Sequence, residues 1–273
     1  MERDTREKLL KAAKTEEDRL FAAKLLDKAE RAGSGYLVFT RFMDPHQRTI
    51  ARLMFREPGV RFVFDGGYAE AERAVAFLPP DYMVCDTEAG TLEEIRSDPG
   101  YPISVVRAGY RKTAYTRELT HRDYLGALMN LGVKRETLGD ILVHGDFAQI
   151  IALSKIAQYI VNNLKQVGRT SVEVRKIELS ELVPPVSETE EKTVTVASLR
   201  LDAVLAEGFG LSRSEASGYI EAGRVYLQFE ECNNASRQVE EGNIISLRGM
   251  GRILLDKIGN KSRKNRIFIT IKK

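Results

Sequence analysis

The chain has 273 residues, 43% of them apolar, and a net charge of only +3, which is too long for one small domain and too apolar for a disordered chain. Its two cysteines, Cys85 and Cys232, stand far apart and form no CxxC, which argues against a disulfide framework and a cysteine zinc site. From Ala197 onward 13 Lys and Arg face 9 Asp and Glu, so the positive excess sits in the C-terminal quarter.

No apolar run approaches the roughly 20 residues a membrane-spanning helix needs, and no charged-then-apolar leader opens the sequence. The expected location is the cytoplasm, with no membrane partner. Residues 1–32 are rich in helix formers, with Thr15 as a cap three residues before Asp18 and Leu20, Phe21 and Leu25 as a helical stripe. Gly33 and Gly35 are expected to end that helix, and Tyr36 to Thr40 reads as a strand. Asp44-Pro45-His46-Gln47 is a helix start with a cap, a first-turn proline and a box partner. Ile50, Leu53 and Met54 are its expected buried face, and Pro58-Gly59 its stop. Arg61 to Phe64 reads as a strand, and Ala69 to Phe77 as a helix ended by Pro79-Pro80.

From Asp81 the pattern renews. The spacing predicts a strand at Tyr82 to Cys85, a helix at Leu92 to Arg96, a strand at Ile103 to Arg107 and a helix at His121 to Leu131. Ile141 to His144 and Ala148 to Leu153 form a hairpin about Gly145-Asp146, Ser154 caps a helix, and Val172 to Val174 closes the unit as a strand. Ser180 to Lys192, with Pro184-Pro185 and several glutamates, has the composition of a linker. The predicted organisation is α+β: an α/β unit at 1–80, another at 81–179, a linker at 180–192 and a basic module at 193–273.

In that module Leu201 and Leu205 share a helix face, and Gly208-Phe209-Gly210 reads as a loop. Ser212-Arg213-Ser214-Glu215 is a capping box, Gly223 a helix exit, and Val225 to Leu227 and Ile244 to Leu247 are strands. Arg200 and Arg213 therefore stand at two helix starts, where free amides and the dipole already favour phosphate and a guanidinium adds a two-pronged grip. Each arginine alone is as readily a solvated charge or a partner of Asp202. The set Arg200, Arg213, Arg224, Arg248 and Arg252 is better read as an RNA face, with Ser212 beside it. Lys261, Arg263, Lys264 and Arg266 form a basic loop before a last strand at Ile267 to Ile269; its bland reading is a solvated turn, its sharper one a phosphate contact through Lys264.

Arg200-Leu201-Asp202, Ser212-Arg213 with Ala216 and Ile220, Gly223-Arg224-Val225, Gly242-Asn243-Ile244 and Arg248-Gly249 together resemble the S4 RNA-binding domain. Two positions depart from that pattern: Gln228-Phe229 stands where Asn-Gly is usual, and Asn243 where Asp is usual, which bears on the first strand turn. Further motifs resemble the bacterial YlmH family across nearly the full length. They are Phe42-Met43-Asp44-Pro45, Phe64-Asp65-Gly66-Gly67-Tyr68 with Glu72-Arg73, Thr120 to Leu128, and Leu131 to Glu136 with Gly139-Asp140-Ile141. The resemblance implies an RRM-like N-terminal unit, a second α/β unit and an S4 domain. It also implies a protein that binds rRNA and tRNA on the large ribosomal subunit in quality control of stalled translation, holding obstructed subunits during C-terminal tailing of the nascent chain.

Other motifs do not complete. His121-Arg122-Asp123 echoes a kinase loop, but Asn130 is two residues too far and no Asp-Phe-Gly follows, so Thr120 and Asp123 are better read as a cap. Arg200-Leu201-Asp202 also resembles the catalytic segment of pseudouridine synthases, but the expected turn is missing and Asp202 falls inside a helix. His46, His121 and His144 have no partner at metal spacing. The leading expectation is a monomeric, non-enzymatic RNA-binding factor with no metal and no cofactor. The rivals are an RNA-modifying enzyme with its site near His121 and Asp123, and a cell-division scaffold that uses its S4 domain incidentally.

Overall fold

The computed structural model describes residues 3–13, 15–32, 35–56, 59–113, 117–184 and 190–273, and the chain divides into two compact units, Met1–Pro185 and Val186–Lys273. The first unit opens with α1 (Arg3–Ala12), α2 (Glu16–Arg31), β1 (Val38–Phe39), α3 (Pro45–Arg56), β2 (Val63–Asp65) and β3 (Val75–Leu78). Thr15 caps α2 by accepting from the Asp18 amide, as its spacing predicts. Asp44 and Gln47 cap α3 reciprocally, at 2.8 and 3.1 Å, and Pro45 begins it. The expected stops at Gly33 and Pro58 lie outside the described residues.

One expectation holds only in part here, for Met54 and the half-buried Ile50, and one fails. The buried face of α3 is Ala51, Met54 and Phe55, with Leu53 exposed. Both sets have helical spacing, and the larger ring of Phe55 decides which turns inward. The helix expected at Ala69 to Phe77 is absent: residues 69–74 are irregular and β3 follows. All four β3 residues are buried, Val75 and Phe77 in one core and Ala76 and Leu78 in another, and such short apolar runs carry no periodicity to separate strand from helix. The strands form an antiparallel sheet in the order β1-β3-β2.

The chain continues with α4 (Glu88–Ser97), β4 (Ile103–Gly109), α5 (His121–Asn130), β5 (Leu138–His144), β6 (Phe147–Leu153), α6 (Ser154–Asn163), the short pair β7 (Gln166–Val167) and β8 (Thr170–Ser171), and β9 (Glu173–Ile177). The strand expected at Tyr82 to Cys85 is instead a 3-10 turn over Asp81–Met83. Ser154 is the first helical residue rather than the cap, and its hydroxyl bonds Pro102 O and Ser104 Oγ. Four antiparallel strands lie in the order β5-β6-β4-β9, joined as β-α-β-β-α-β. This RRM-like arrangement was expected in the N-terminal unit and occurs in the second one. The resemblance alone implied it for the first unit; reading residues 69–77 as a helix bears on the separate expectation of an alternating α/β stretch there.

One face of the four-stranded sheet packs on α5 and α6 through Val106, Ala108, Tyr124, Leu128, Ile150 and Ile160. On the other face Val105, Ile151 and Ile177 meet Val63, Val75 and Phe77 of the three-stranded sheet. The face that RRM domains use for RNA is therefore largely closed.

The family motifs of this unit fasten it together. The buried Asp65 carboxylate accepts from Arg96 at 2.8 and 2.7 Å, Tyr101 at 2.6 Å and the Gly67 amide at 2.8 Å. Gly66 has no room for a side chain, since a Cβ there would lie 2.3 Å from that of Ala71. Asp140 accepts from Tyr68 and from the amides of Glu72 and Arg73, and the buried Arg73 guanidinium donates to Leu138 O and Phe42 O.

The second unit contains β10 (Glu191–Val196), α7 (Leu201–Phe209), α8 (Arg213–Glu221), β11 (Val225–Leu227), β12 (Glu230–Glu231), β13 (Ile244–Leu247), β14 (Gly251–Lys261) and β15 (Ile267–Lys272). They form one antiparallel sheet in the order β10-β15-β14-β13-β11-β12, packed on α7 and α8 through Leu201, Leu205, Ile220, Ile253 and Ile269. The loop expected at 208–210 shrinks to Gly210 at φ +67°, because α7 runs on through Phe209. Gly208 lies against Ile253, which leaves no space for a Cβ. Of the expected linker 180–192, Ser180 and Glu181 belong to a 3-10 turn, residues 185–189 lie outside the described residues, and Glu191 and Lys192 open β10.

Candidate nucleic-acid interface

Arg200 is the N-cap residue of α7, and Arg213 is the first residue of α8. Both reach the same carboxylate. Arg200 donates to the two oxygens of Asp202 at 3.1 and 3.2 Å, and Arg213 donates to Oδ2 at 2.7 Å. The Asp202 side chain is only 5% exposed, whereas those of Arg200 and Arg213 are 37% and 54% exposed. Burial pushes this carboxyl up, but hydrogen bonds from Arg200 and Arg213 outweigh it and hold the group below its ordinary value. A buried anion thus aims two guanidiniums at solvent beside two helix N-termini, and the trio keeps a charge of +1. An oxyanion could there meet guanidinium N–H groups that the carboxylate leaves over, along with the dipoles of both helices.

Ser212 has another task. Its hydroxyl accepts from the Glu215 amide and donates to Glu215 Oε2 at 2.7 Å, completing the predicted capping box. Arg224 follows the exit glycine Gly223, at φ +66°. It lies over the Tyr219 ring at 4.7 Å and donates to Arg248 O at 2.8 Å, which brings Arg224 and the Arg248 turn together. Arg248, in the turn between β13 and β14, and Arg252, at the start of β14, are exposed. About 13 Å of α8 separates this second group from the Asp202 cluster. Lys264 lies elsewhere, in the turn after β14 and at the far end of that 11-residue strand from Arg252, on the order of 30 Å away. The structure thus makes two arginine groups from the predicted set and leaves Lys264 outside both.

The departing turn keeps the backbone that Asn-Gly would favour. Gln228 and Phe229 both have positive φ, 53° and 68°, between the paired strands β11 and β12.

A further cluster in the first unit escaped sequence reading. Where the four-stranded sheet stays open, Arg107 lies 3.6 Å over the Phe147 ring, and His144 stacks on the same ring at 4.9 Å. Arg107 faces Arg175 across the β4–β9 pair, and the two line an open cavity of about 690 Å³ with Arg111. Asp146 and Glu173 also line it. The available signal was one charged residue in the mostly apolar β4, at the alternation that points away from α5 and α6.

The enzyme alternative named His121 and Asp123. The Asp123 carboxylate is held down at about 2 by hydrogen bonds from the Thr120 amide and hydroxyl and from Arg117, so it serves as the cap of α5. His121 is lowered by burial and by Arg135. Among the described residues no three His, Cys, Asp or Glu side chains are grouped to hold a metal ion, and no helix is long and apolar enough to cross a membrane.

Residues 99–181, which contain the β-α-β-β-α-β unit, match the family described as "Putative RNA-binding domain in YlmH", and residues 199–245 match the S4 domain. The chain is 34% identical over 234 residues to the ribosome-associated protein quality control protein P2 of Bacillus subtilis (strain 168), covering 86% of each chain. A solved structure of the cell division protein ylmH from Streptococcus pneumoniae is similar at 26% identity and a TM-score of 0.47, over 62% of this chain and 96% of that one.

Proposed function

This chain belongs to the YlmH family, and from that premise we propose that it is a non-enzymatic, cytoplasmic RNA-binding factor of the large ribosomal subunit. It grips structured rRNA and tRNA by phosphate and shape, and it serves the quality control of stalled translation by holding obstructed subunits while the nascent chain is tailed. The observation that carries this reading is the Asp202 clamp, which presents Arg200 and Arg213 together at two helix N-termini. Arg224, Arg248 and Arg252 extend the contact along α8, Lys264 makes a separate one, and Ser212 acts through its helix cap. The working modules are 1–80, 81–179 and 193–273, acting as a monomer.

Co-sedimentation with ribosomal subunits across a salt series tests this. The parent protein is expected in the large-subunit fraction. Arg200→Ala with Arg213→Ala is expected to leave it, with a salt slope shallower by about one unit per lost phosphate contact. Unchanged binding of the double variant rejects the S4 face as the site. A modified nucleotide formed on subunit RNA rejects the non-enzymatic reading.

A further inference from the structure

A second concave site lies in the first unit, where α2, β1 and the end of β6 meet. It encloses about 610 Å³, within the range of small-molecule sites. Its floor is apolar, formed by Phe21, Leu25, Phe39 and Leu153, and Phe77 steadies the Phe39 ring with centroids 6.1 Å apart. Its rim is cationic, formed by Lys24, Lys28, Arg31 and Arg41.

The carboxylates at the rim are already engaged. Asp27 is paired with Arg6 at 2.6 Å, and Glu136 with Arg41. Lys24 and Lys28 have neither an ion pair nor a hydrogen bond among the described residues. Lys28 is half-buried, and its ammonium is pushed below the ordinary amine range by that burial and then by Arg31 and Arg41. An uncompensated, partly desolvated ammonium beside two guanidiniums is unfavourable until an anion joins it. An anion with a flat apolar body would satisfy rim and floor together.

We propose that this cavity binds a nucleotide, with its phosphate on Lys24 and Lys28 and its base against Phe21 and Phe39. The nucleotide is either a free mononucleotide or one residue of an RNA strand, which have this chemistry in common. The site shares no residue with the arginine groups of the second unit, so it stands or falls apart from the function proposed above.

The test is an amide NMR titration of the full-length, nitrogen-15-labelled protein with adenosine 5′-monophosphate, adenosine, inorganic phosphate and a six-nucleotide single-stranded RNA. Saturable shifts at Phe21, Lys28 and Phe39 are expected with the monophosphate or the hexamer, and at least roughly tenfold weaker binding of adenosine or phosphate alone. Tighter binding of the hexamer at those amides assigns the site to an RNA strand, and tighter binding of the monophosphate assigns it to a free nucleotide. Lys28→Met is expected to weaken binding by about tenfold while raising Tm, since it removes an unpaired charge; Lys28→Arg is expected to retain binding. The exposed Lys24→Met provides an independent variant with the same expected loss. The proposal is overturned if neither nucleotide probe shifts these amides, or if both methionine variants titrate like the parent.

Discussion

Arg213 Nη2 lies 2.7 Å from Asp202 Oδ2, and this one contact joins the start of α8 to the first turn of α7. Arg200 shares the carboxylate, so the spacing of the two guanidiniums is set by a buried group rather than by two independent surface side chains. Ordering two long cationic side chains in advance reduces the entropy lost when a phosphate arrives.

Asp202→Asn is therefore expected to weaken RNA binding severalfold even though it makes the face more positive. It is also expected to cost about 1–2 kcal/mol of stability through weakened hydrogen bonds to charged groups. Filter binding to rRNA fragments and urea unfolding measure the two effects. Tighter RNA binding by the variant would mean that total charge, not placement, governs the contact.

Acid should loosen the first unit through Asp65. Burial raises this carboxyl, but Arg96, Tyr101 and the Gly67 amide together hold it below its ordinary value. A carboxyl depressed in the folded state stabilises the fold above the unfolded value near 4, and that contribution disappears as pH falls through the lower folded value. Unfolding free energy followed by fluorescence is expected to fall steadily below about pH 4. Asp65→Asn, already destabilised at neutral pH, is expected to show a shallower fall.

Ser212→Ala separates the cap from the RNA contact. Loss of the box with Glu215 is expected to cost about 1 kcal/mol in thermal unfolding. RNA affinity measured well below the transition temperature should change less than with Arg213→Ala. Equal losses of affinity would assign the Ser212 hydroxyl a direct contact.

Phe229→Gly is expected to stabilise the second unit by about 1 kcal/mol, because φ 68° costs a side-chain-bearing residue what glycine adopts freely. Chemical denaturation decides this. A net loss would show that the half-buried Phe229 ring contributes more by packing than its backbone costs.

The second unit was more legible from sequence than the first, for local reasons. Its helix starts, the Ser212–Glu215 box and the left-handed Gly223 and Gly210 are short-range signals, and Arg200, Arg213 and Arg224 are placed by those same helices. β10 was hidden because Glu191 and Lys192 look like linker when read without their distant partner β15. In the first unit β3 is buried on both faces, so its apolar run lacks the alternation that marks a strand. The pairing of Arg107 with Phe147 depends on β4 and β6 lying side by side, 40 residues apart in the chain, which no local pattern reveals. Likewise, the roles of Asp65 and Asp140 became clear only once Arg96, Tyr101 and Tyr68 could be seen around them.

The sheet order of the second unit also sets a schedule for synthesis. β10 pairs with β15, Glu191 opposite Lys272, so the first strand of the unit to leave the ribosome is hydrogen-bonded to the last. At about 5–20 residues per second, residues 191–196 wait on the order of ten seconds for their partner. During that interval α7 and α8 can form locally, but the nascent sheet has no closing strand. Arg200 and Arg213, which sit on those helices, can therefore be in place before the sheet beneath them is closed.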